Sequence, residues 1–238
     1  MVGNRVQRRY LVNTSGGKVN TTPRQIPSPA TVLTMASHNA ILGMFFQANI
    51  LDRQIGMDWY SNAHGIVKRI AAEYQFSPEQ IAGAMAAISP NNKWERNCID
   101  CENLAKAIRA DLDPFEVKVC TFKKNKAKAI AILMGDLDSD AICNILKGQK
   151  VTAFYLNILH NGNTESPCID GHAFNIWNGS VSGLKEVPSI SAKAFRNIQA
   201  DYCRAAEIAS GVTKETITPG QMQAITWVAY RRIHKGLV

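Results

Sequence analysis

Apolar residues along this chain recur at three- and four-residue intervals, the spacing of one face of an α-helix. In "MDWYSNAHGIVKRIAAEY", residues 57–74, Ala63, Val67, Ile70 and Tyr74 share such a face. Ser77-Pro78-Glu79-Gln80 combines a capping box with proline at the first helical position. A helix is therefore predicted through "IAGAMAAI", ending before Pro90. "WERNCIDCENLAKAIRA", residues 94–110, is the next, stopped by Asp113-Pro114. A short basic helix follows over "KNKAKAIAILMG", residues 124–135, then helices over "DSDAICNIL", 138–146, and "KGQKVTAFYLNILH", 147–160. Ser191 caps a helix that Gly211 is expected to close. Thr218-Pro219-Gly220-Gln221 is a second capping box and opens a helix to about Lys235. No alternating strand pattern exceeds five residues, so the fold class is all-α.

Residues 1–35 break this pattern. They are rich in Ser, Thr, Gly, Pro and Arg and read as a basic, polar, mobile N-terminal extension to a helical domain over 36–238. Composition then narrows the function classes. The 238 residues are 46% hydrophobic, enough for a substantial core, and no stretch approaches the ~20 apolar residues of a membrane span. The start of the chain lacks the apolar core of a secretory signal, so an intracellular protein without a membrane partner is expected. Net charge is +8 and the first 51 residues contain five basic side chains and no acid, a balance that suits a polyanionic partner. Six cysteines are irregularly spaced and expected to be reduced. Cys98 and Cys101 alone make half a metal site, with no second half, so neither metal nor cofactor is expected.

The chemistry centres on two segments. In "ILKGQKVTAFYLNIL", residues 145–159, one helix ends at a glycine turn and another begins near Lys150. Such a turn offers backbone N–H groups and a helix N-terminus to a phosphate, here at Gly148 and Gln149. The positive end of the second helix dipole disfavours an ammonium, which suits Lys150 to act as a nucleophile, although a solvated lysine at a helix start has the same appearance. Asp170 follows twenty positions later in "SPCIDGHAFNIW". The intervening helix and the loop "NGNTESP" bring the chain back, so Asp170 is expected to cap the next helix near the start of the previous one. An amine and a carboxylate on one groove suit attack at a sugar anomeric carbon through an oxocarbenium-like transition state. Capping and catalysis are compatible roles for Asp170.

The glycine turn with "GQKVTAF", followed at this spacing by "CIDGHAF", resembles the helix-hairpin-helix DNA glycosylases. The similarity is closest to the 8-oxoguanine DNA glycosylase branch, whose bifunctional members carry a catalytic lysine and an Asp-x-His element. It covers roughly residues 60–235 in four or five short islands. "AISPNNKW", residues 87–94, is similar to the segment whose asparagines fill the gap left by an extruded base, and "GQMQAITW", residues 220–227, to the helix that reads and stacks on that base. "FKKNKAKAI", residues 122–130, resembles a basic segment preceding the hairpin. The chain departs from the pattern at Leu146, where the first of two hairpin glycines belongs. No four-cysteine iron–sulfur pattern and no N-terminal β-domain are visible.

The resemblance implies a two-lobed helix-hairpin-helix fold with an active groove between the lobes, acting as a monomer on double-stranded DNA. It implies a base-excision glycosylase and abasic-site (AP) lyase, with Lys150 forming a Schiff base and Asp170 stabilising the developing charge. Asn91 or Asn92 would plug the duplex, Gln223 would read the base edge and Trp227 would stack on it, unless Trp227 is core packing. His172 would contact phosphate or fix its loop. Lys124 and Lys126 would meet the DNA backbone, and Phe154 and Cys168 would also line the pocket. Two alternatives stay open: a related enzyme processing hypermodified pyrimidines in viral DNA, and a DNA-binding module without catalysis. The identity of the base is not legible in the sequence.

Overall fold

The computed structural model describes residues 29–235, with side chains from His38 onward. The expected extension over 1–35 lies largely outside them. Ten helices and no strand are found among the described residues: α1 (Pro29–Gln47), α2 (Ile50–Glu73), α3 (Pro78–Ile88), α4 (Trp94–Arg109), α5 (Lys123–Met134), α6 (Ser139–Leu146), α7 (Gln149–Leu159), α8 (Gly171–Asn178), α9 (Ala192–Thr213) and α10 (Pro219–Ile233). The protein is all-α in this region. None of these helices is long and apolar enough to cross a membrane.

Local signals account for most helix starts. Ser77 and Thr218 form reciprocal capping boxes with Gln80 and Gln221, each with proline at the helix entrance. Ser191 and Asp170 accept from the backbone three residues on. A cap of this kind stabilises its helix by about 1 kcal/mol. Two elements differ from expectation. Helix α2 begins at Ile50, not near Met57, under a capping box between Asn49 and Asp52. Its first turns expose Ile50, Leu51 and Ile55, so their apolar positions follow no buried stripe. Gly211 does not close α9: the helix continues to Thr213 and ends on Lys214 in the left-handed conformation.

Two hydrophobic cores result. The first joins the middle of α2 to α3–α7, around Val67, Ile81, Met85, Leu104, Ile132, Ile142 and Ile158. Within it, α3 is buried continuously from Ile81 to Ile88. Its run of alanines keeps that helix thin enough for neighbours to pack on every side. The second core is built from both ends of the chain: Ile41 and Phe45 of α1 meet Ile176, Phe195, Tyr202, Ile225 and Tyr230 of α8–α10.

Helix α10 runs along α2 and ties the two cores together. They approach so closely that a Cβ at Gly56 would stand 2.4 Å from the Ile225 Cα. At one end of this seam, Arg232 donates to both oxygens of the buried Asp52, at 3.0 and 2.8 Å, and to the Gln47 carbonyl. Burial alone would raise the Asp52 pKa, but the Arg232 guanidinium and the Asn49 N–H hold it below the ordinary value.

Candidate active site

The site begins with the α6–α7 pair. Asp138 caps α6 by accepting from the Ala141 N–H at 2.8 Å. The helix ends at Leu146, and the turn is made by Lys147, left-handed with φ of 61°, and Gly148, extended with φ of −94°. A glycine would fit the left-handed position more readily. Lys128 of α5 donates to the Leu146 carbonyl at 2.7 Å and fastens the turn from behind. Gly148 is the N-cap of α7, and Gln149 and Lys150 are its first two residues. The Lys150 side chain is exposed and makes no hydrogen bond or ion pair among the described residues.

The segment after α7 is folded back by one side chain. Buried Asn157 donates to the Ala153 and Ser166 carbonyls, both at 2.7 Å, and accepts from the Thr164 hydroxyl at 3.0 Å. The returning chain lies against the first turn of α7, where the Cys168 thiol is 3.5 Å from the Lys150 carbonyl. Burial and the nearby Asp170 push the Cys168 pKa up to about 12, against the pull of Lys150, so it is a thiol. Lys150 and Asp170 thus act on the same buried group.

Asp170 is the N-cap of α8, as its spacing predicts. Its Oδ1 accepts from the Ala173 N–H at 2.8 Å, and its Oδ2 from the Trp227 indole at 3.1 Å. Both oxygens are therefore aimed, while the carboxylate stays half-buried. The Arg231 guanidinium lies 4.5 Å from the centre of the Trp227 ring. Trp227 is thus engaged both at its edge and over its face. One turn earlier on α10, buried Gln223 accepts from the Tyr60 hydroxyl at 3.1 Å.

The Asn91 and Asn92 positions separate. Asn91 is the exposed tip of its loop, left-handed with φ of 62°. Asn92 turns inward and donates to the buried Asp100 at 3.2 Å. Asp100 also accepts from Arg96 and from the Cys120 N–H, so one carboxylate anchors two loops. Three residues beyond Asn91, the Trp94 ring packs on Trp59 at 5.0 Å and Phe154 at 6.2 Å. Phe154 lies one helical turn after Lys150, and Trp59 packs edge-on against Tyr60 at 4.8 Å. A half-buried aromatic wall therefore runs from the Asn91 loop to the Lys150 site.

Lys124 and Lys126 lie outside this group. Lys124 is exposed at the start of α5, while the Lys126 ammonium is engaged by the Phe115 and Val117 carbonyls. Cys98 and Cys101 lie on α4, and buried Cys101 contacts the Ile81 carbonyl of α3. Tyr60, Trp59, Trp94 and Arg231 belong to the site and were not singled out by the sequence. Of these, Arg231 alone carries a local signal, one turn beyond Trp227.

A family described as of unknown function, DUF7178, matches residues 25–234, a span that includes all ten helices. The chain belongs to the DUF7178 family. No curated protein and no solved structure matches it.

In this DUF7178 protein His172 is buried, 8% exposed, and its Nδ1 has no hydrogen-bond partner among the described residues. Burial lowers its pKa below the ordinary imidazole value; Asp170 opposes the shift, and Arg231 and Lys150 reinforce it. Above both pKa values the imidazole is neutral in the folded and unfolded chain and contributes no pH dependence. As pH falls through about 6.5, the unfolded chain binds a proton that folded His172 resists, so stability falls with acid. His172→Gln should therefore flatten the loss of Tm between pH 7.5 and 5.5. Parallel slopes for the two proteins in thermal melts across that window would refute this. An open depression of about 1200 Å³ in the DUF7178 fold, between α9 and the loop after α7, is lined by Glu165, Arg196 and Cys203 and contains none of the site residues predicted from the sequence.

Proposed function

We propose that this protein is a base-excision DNA glycosylase with AP lyase activity, acting as an intracellular monomer on double-stranded DNA. The observation that carries the reading is the placement of Lys150. An unpaired amine stands at the N-terminus of α7, and the doubly anchored Asp170 acts on the same buried Cys168 and His172. The two hydrophobic cores, and the α6–α7 pair joined through Lys147 and Gly148, support a two-lobed helix-hairpin-helix architecture with its groove between the lobes.

In this mechanism the N-terminus of α7, with Gly148 and Gln149, holds a DNA phosphate. A damaged or modified base, 8-oxoguanine by resemblance, leaves the stack, and Asn91 enters the gap at a cost in unstacking of a few kcal/mol. The Lys150 amine, once deprotonated, donates its lone pair to C1′. The base departs with the electrons of the glycosidic bond and takes up a proton. Asp170 stabilises the positive charge that develops on the sugar. Opening of the sugar ring gives a Schiff base at Lys150. Loss of a C2′ proton then breaks the C3′–O bond, which is the lyase step.

Borohydride trapping tests this directly. Duplexes carrying 8-oxoguanine, uracil, 5-hydroxymethyluracil or an abasic site are incubated with the protein and the reductant. A covalent protein–DNA adduct is expected on the abasic duplex and on the cognate base. An adduct with 5-hydroxymethyluracil alone among the bases would favour an enzyme of hypermodified viral pyrimidines. No adduct on any duplex would overturn the Schiff-base mechanism. Steeply salt-dependent DNA binding in that case would mark a non-catalytic module.

A further inference from the structure

The orientation of the Gln223 amide has a consequence for substrate choice. Gln223 is 7% exposed and Tyr60 is 3% exposed. The Tyr60 hydroxyl donates to the Gln223 Oε1 at 3.1 Å, across 163 residues of sequence. The Gln223 Nε2 makes no hydrogen bond among the described residues, yet it is not one of the sealed polar atoms that lack a partner. Its acceptor face is therefore taken, while its donor face is unclaimed by the protein and not fully sealed.

The amide is not free to turn over. A half-turn would bring Nε2 to the Tyr60 oxygen and leave the buried phenol hydrogen without this acceptor, which is costly away from water. The phenol stays protonated, because burial and the nearby Cys168 and Asp170 raise its pKa well above the ordinary value. The ring itself is braced. Gly162, left-handed with φ of 71°, packs so closely that a Cβ there would lie 3.1 Å from the ring. The Gly162 carbonyl in turn accepts from the Thr218 hydroxyl at 3.0 Å, at the entrance to α10. The loop after α7 therefore joins the helix that carries Tyr60 to the helix that carries Gln223. On its other side Tyr60 meets Trp59 of the aromatic wall.

We propose that Tyr60 sets the hydrogen-bonding sense of Gln223, so that the site reads an extruded base by donating to an exocyclic carbonyl oxygen and rejects the analogue with an amino group there. This rests on the glycosylase reading above. It assigns Tyr60 a positioning role and narrows the substrates to bases with a carbonyl on the edge facing α10. A site built around one polar partner discriminates strongly, because the wrong group leaves a buried donor unpaired.

Matched duplexes test it. One pair carries 5-hydroxymethyluracil or 5-hydroxymethylcytosine, the other 8-oxoguanine or 2,6-diamino-8-oxopurine; each pair exchanges a carbonyl for an amino group. The wild-type protein should favour the carbonyl member of the pair it processes by about 10²-fold or more in kcat/KM. Tyr60→Phe, which keeps the ring and frees the amide, should reduce the preference to within a few-fold while the carbonyl substrate is still processed. Gln223→Glu, which puts an acceptor where Nε2 stood, should reverse the preference toward the amino member. It keeps the test open if Tyr60→Phe proves unstable in thermal melts. Excision of both members at equal rates by the wild-type protein would overturn this inference and leave the glycosylase reading standing. So would a full carbonyl preference retained by a folded Tyr60→Phe. A wild-type protein that processes none of the four bases and gives no trapped adduct on abasic DNA would overturn both.

Discussion

Lys150→Gln should abolish the borohydride-trapped adduct and lower base excision by about 10³-fold or more, the scale expected when a covalent nucleophile is removed. The same change should leave Tm almost unmoved. The Lys150 side chain is exposed and makes no hydrogen bond or ion pair among the described residues, so its replacement removes no side-chain contact. Substitutions at such surface positions stay within about 0.5 kcal/mol. The contrast gives the prediction its force, because a structural lysine could not yield so large a functional loss at so small a structural cost. Single-turnover excision, trapping and thermal melts on the two proteins measure all three quantities. A variant that still traps would remove Lys150 from the mechanism. A variant that traps nothing because it is unfolded would contradict the surface placement of the side chain.

Gly56→Ala should have the largest effect on stability. The added methyl carbon would stand 2.4 Å from the Ile225 Cα and 2.6 Å from its N and Cγ1. Two of those atoms are backbone, so no side-chain rotation relieves the clash and α2 must move away from α10. Overpacking in a closed core costs about 1–3 kcal/mol and sometimes more; here the upper end, about 3 kcal/mol, is expected. For a chain of this size that corresponds to a fall in Tm of roughly 10 °C. The seam being forced apart also carries the Asp52–Arg232 ion pair and the Tyr60–Gln223 hydrogen bond. Excision should therefore weaken even below the melting transition. Gly65→Ala is the matched control on the same helix. Nothing lies within 4 Å of a Cβ there, so it should stabilise the protein by about 0.5–1 kcal/mol through helix propensity alone. Equal melting temperatures for the two variants would show that the α2–α10 approach is looser than the structure has it.

Both predictions draw on the same architecture. Helix α10 presents Gln223 and Trp227 to the site from one side, while α7 presents Lys150 from the other. Asp170 ties α10 to the start of α8 through the Trp227 indole and the Ala173 N–H, and Cys168, two residues before it, meets the Lys150 carbonyl of α7. A change in the α2–α10 seam at Gly56 therefore reaches the site through the Tyr60–Gln223 hydrogen bond.

How much of this was legible beforehand depends on the range of the interactions. Ser77, Thr218, Ser191 and Asp170 announced their helices because a cap acts across three residues, a distance the sequence displays directly. The all-α class followed from apolar spacing, since a helix repeats on itself. The returning segment that brings Asp170 toward Lys150 was readable from chain length. Helix α1 and the first turns of α2 were missed. Part of their apolar surface stays exposed, as at Phe46, Ile50 and Leu51, so periodicity has no buried stripe to report. The left-handed Lys147 was hidden too, because glycine is the usual mark of that conformation.

Only tertiary structure could decide the pairings. Tyr60 with Gln223, Asp52 with Arg232 and Asp170 with Trp227 are 163, 180 and 57 residues apart. It also committed Lys126 to backbone carbonyls and separated exposed Asn91 from inward-facing Asn92. The physical reason is common to all of them. Capping and amphipathicity are fixed by neighbours along one helix. The partner of a polar side chain is fixed by which helices pack together, and that depends on volumes and close approaches, such as Gly56 against Ile225, summed over the whole chain.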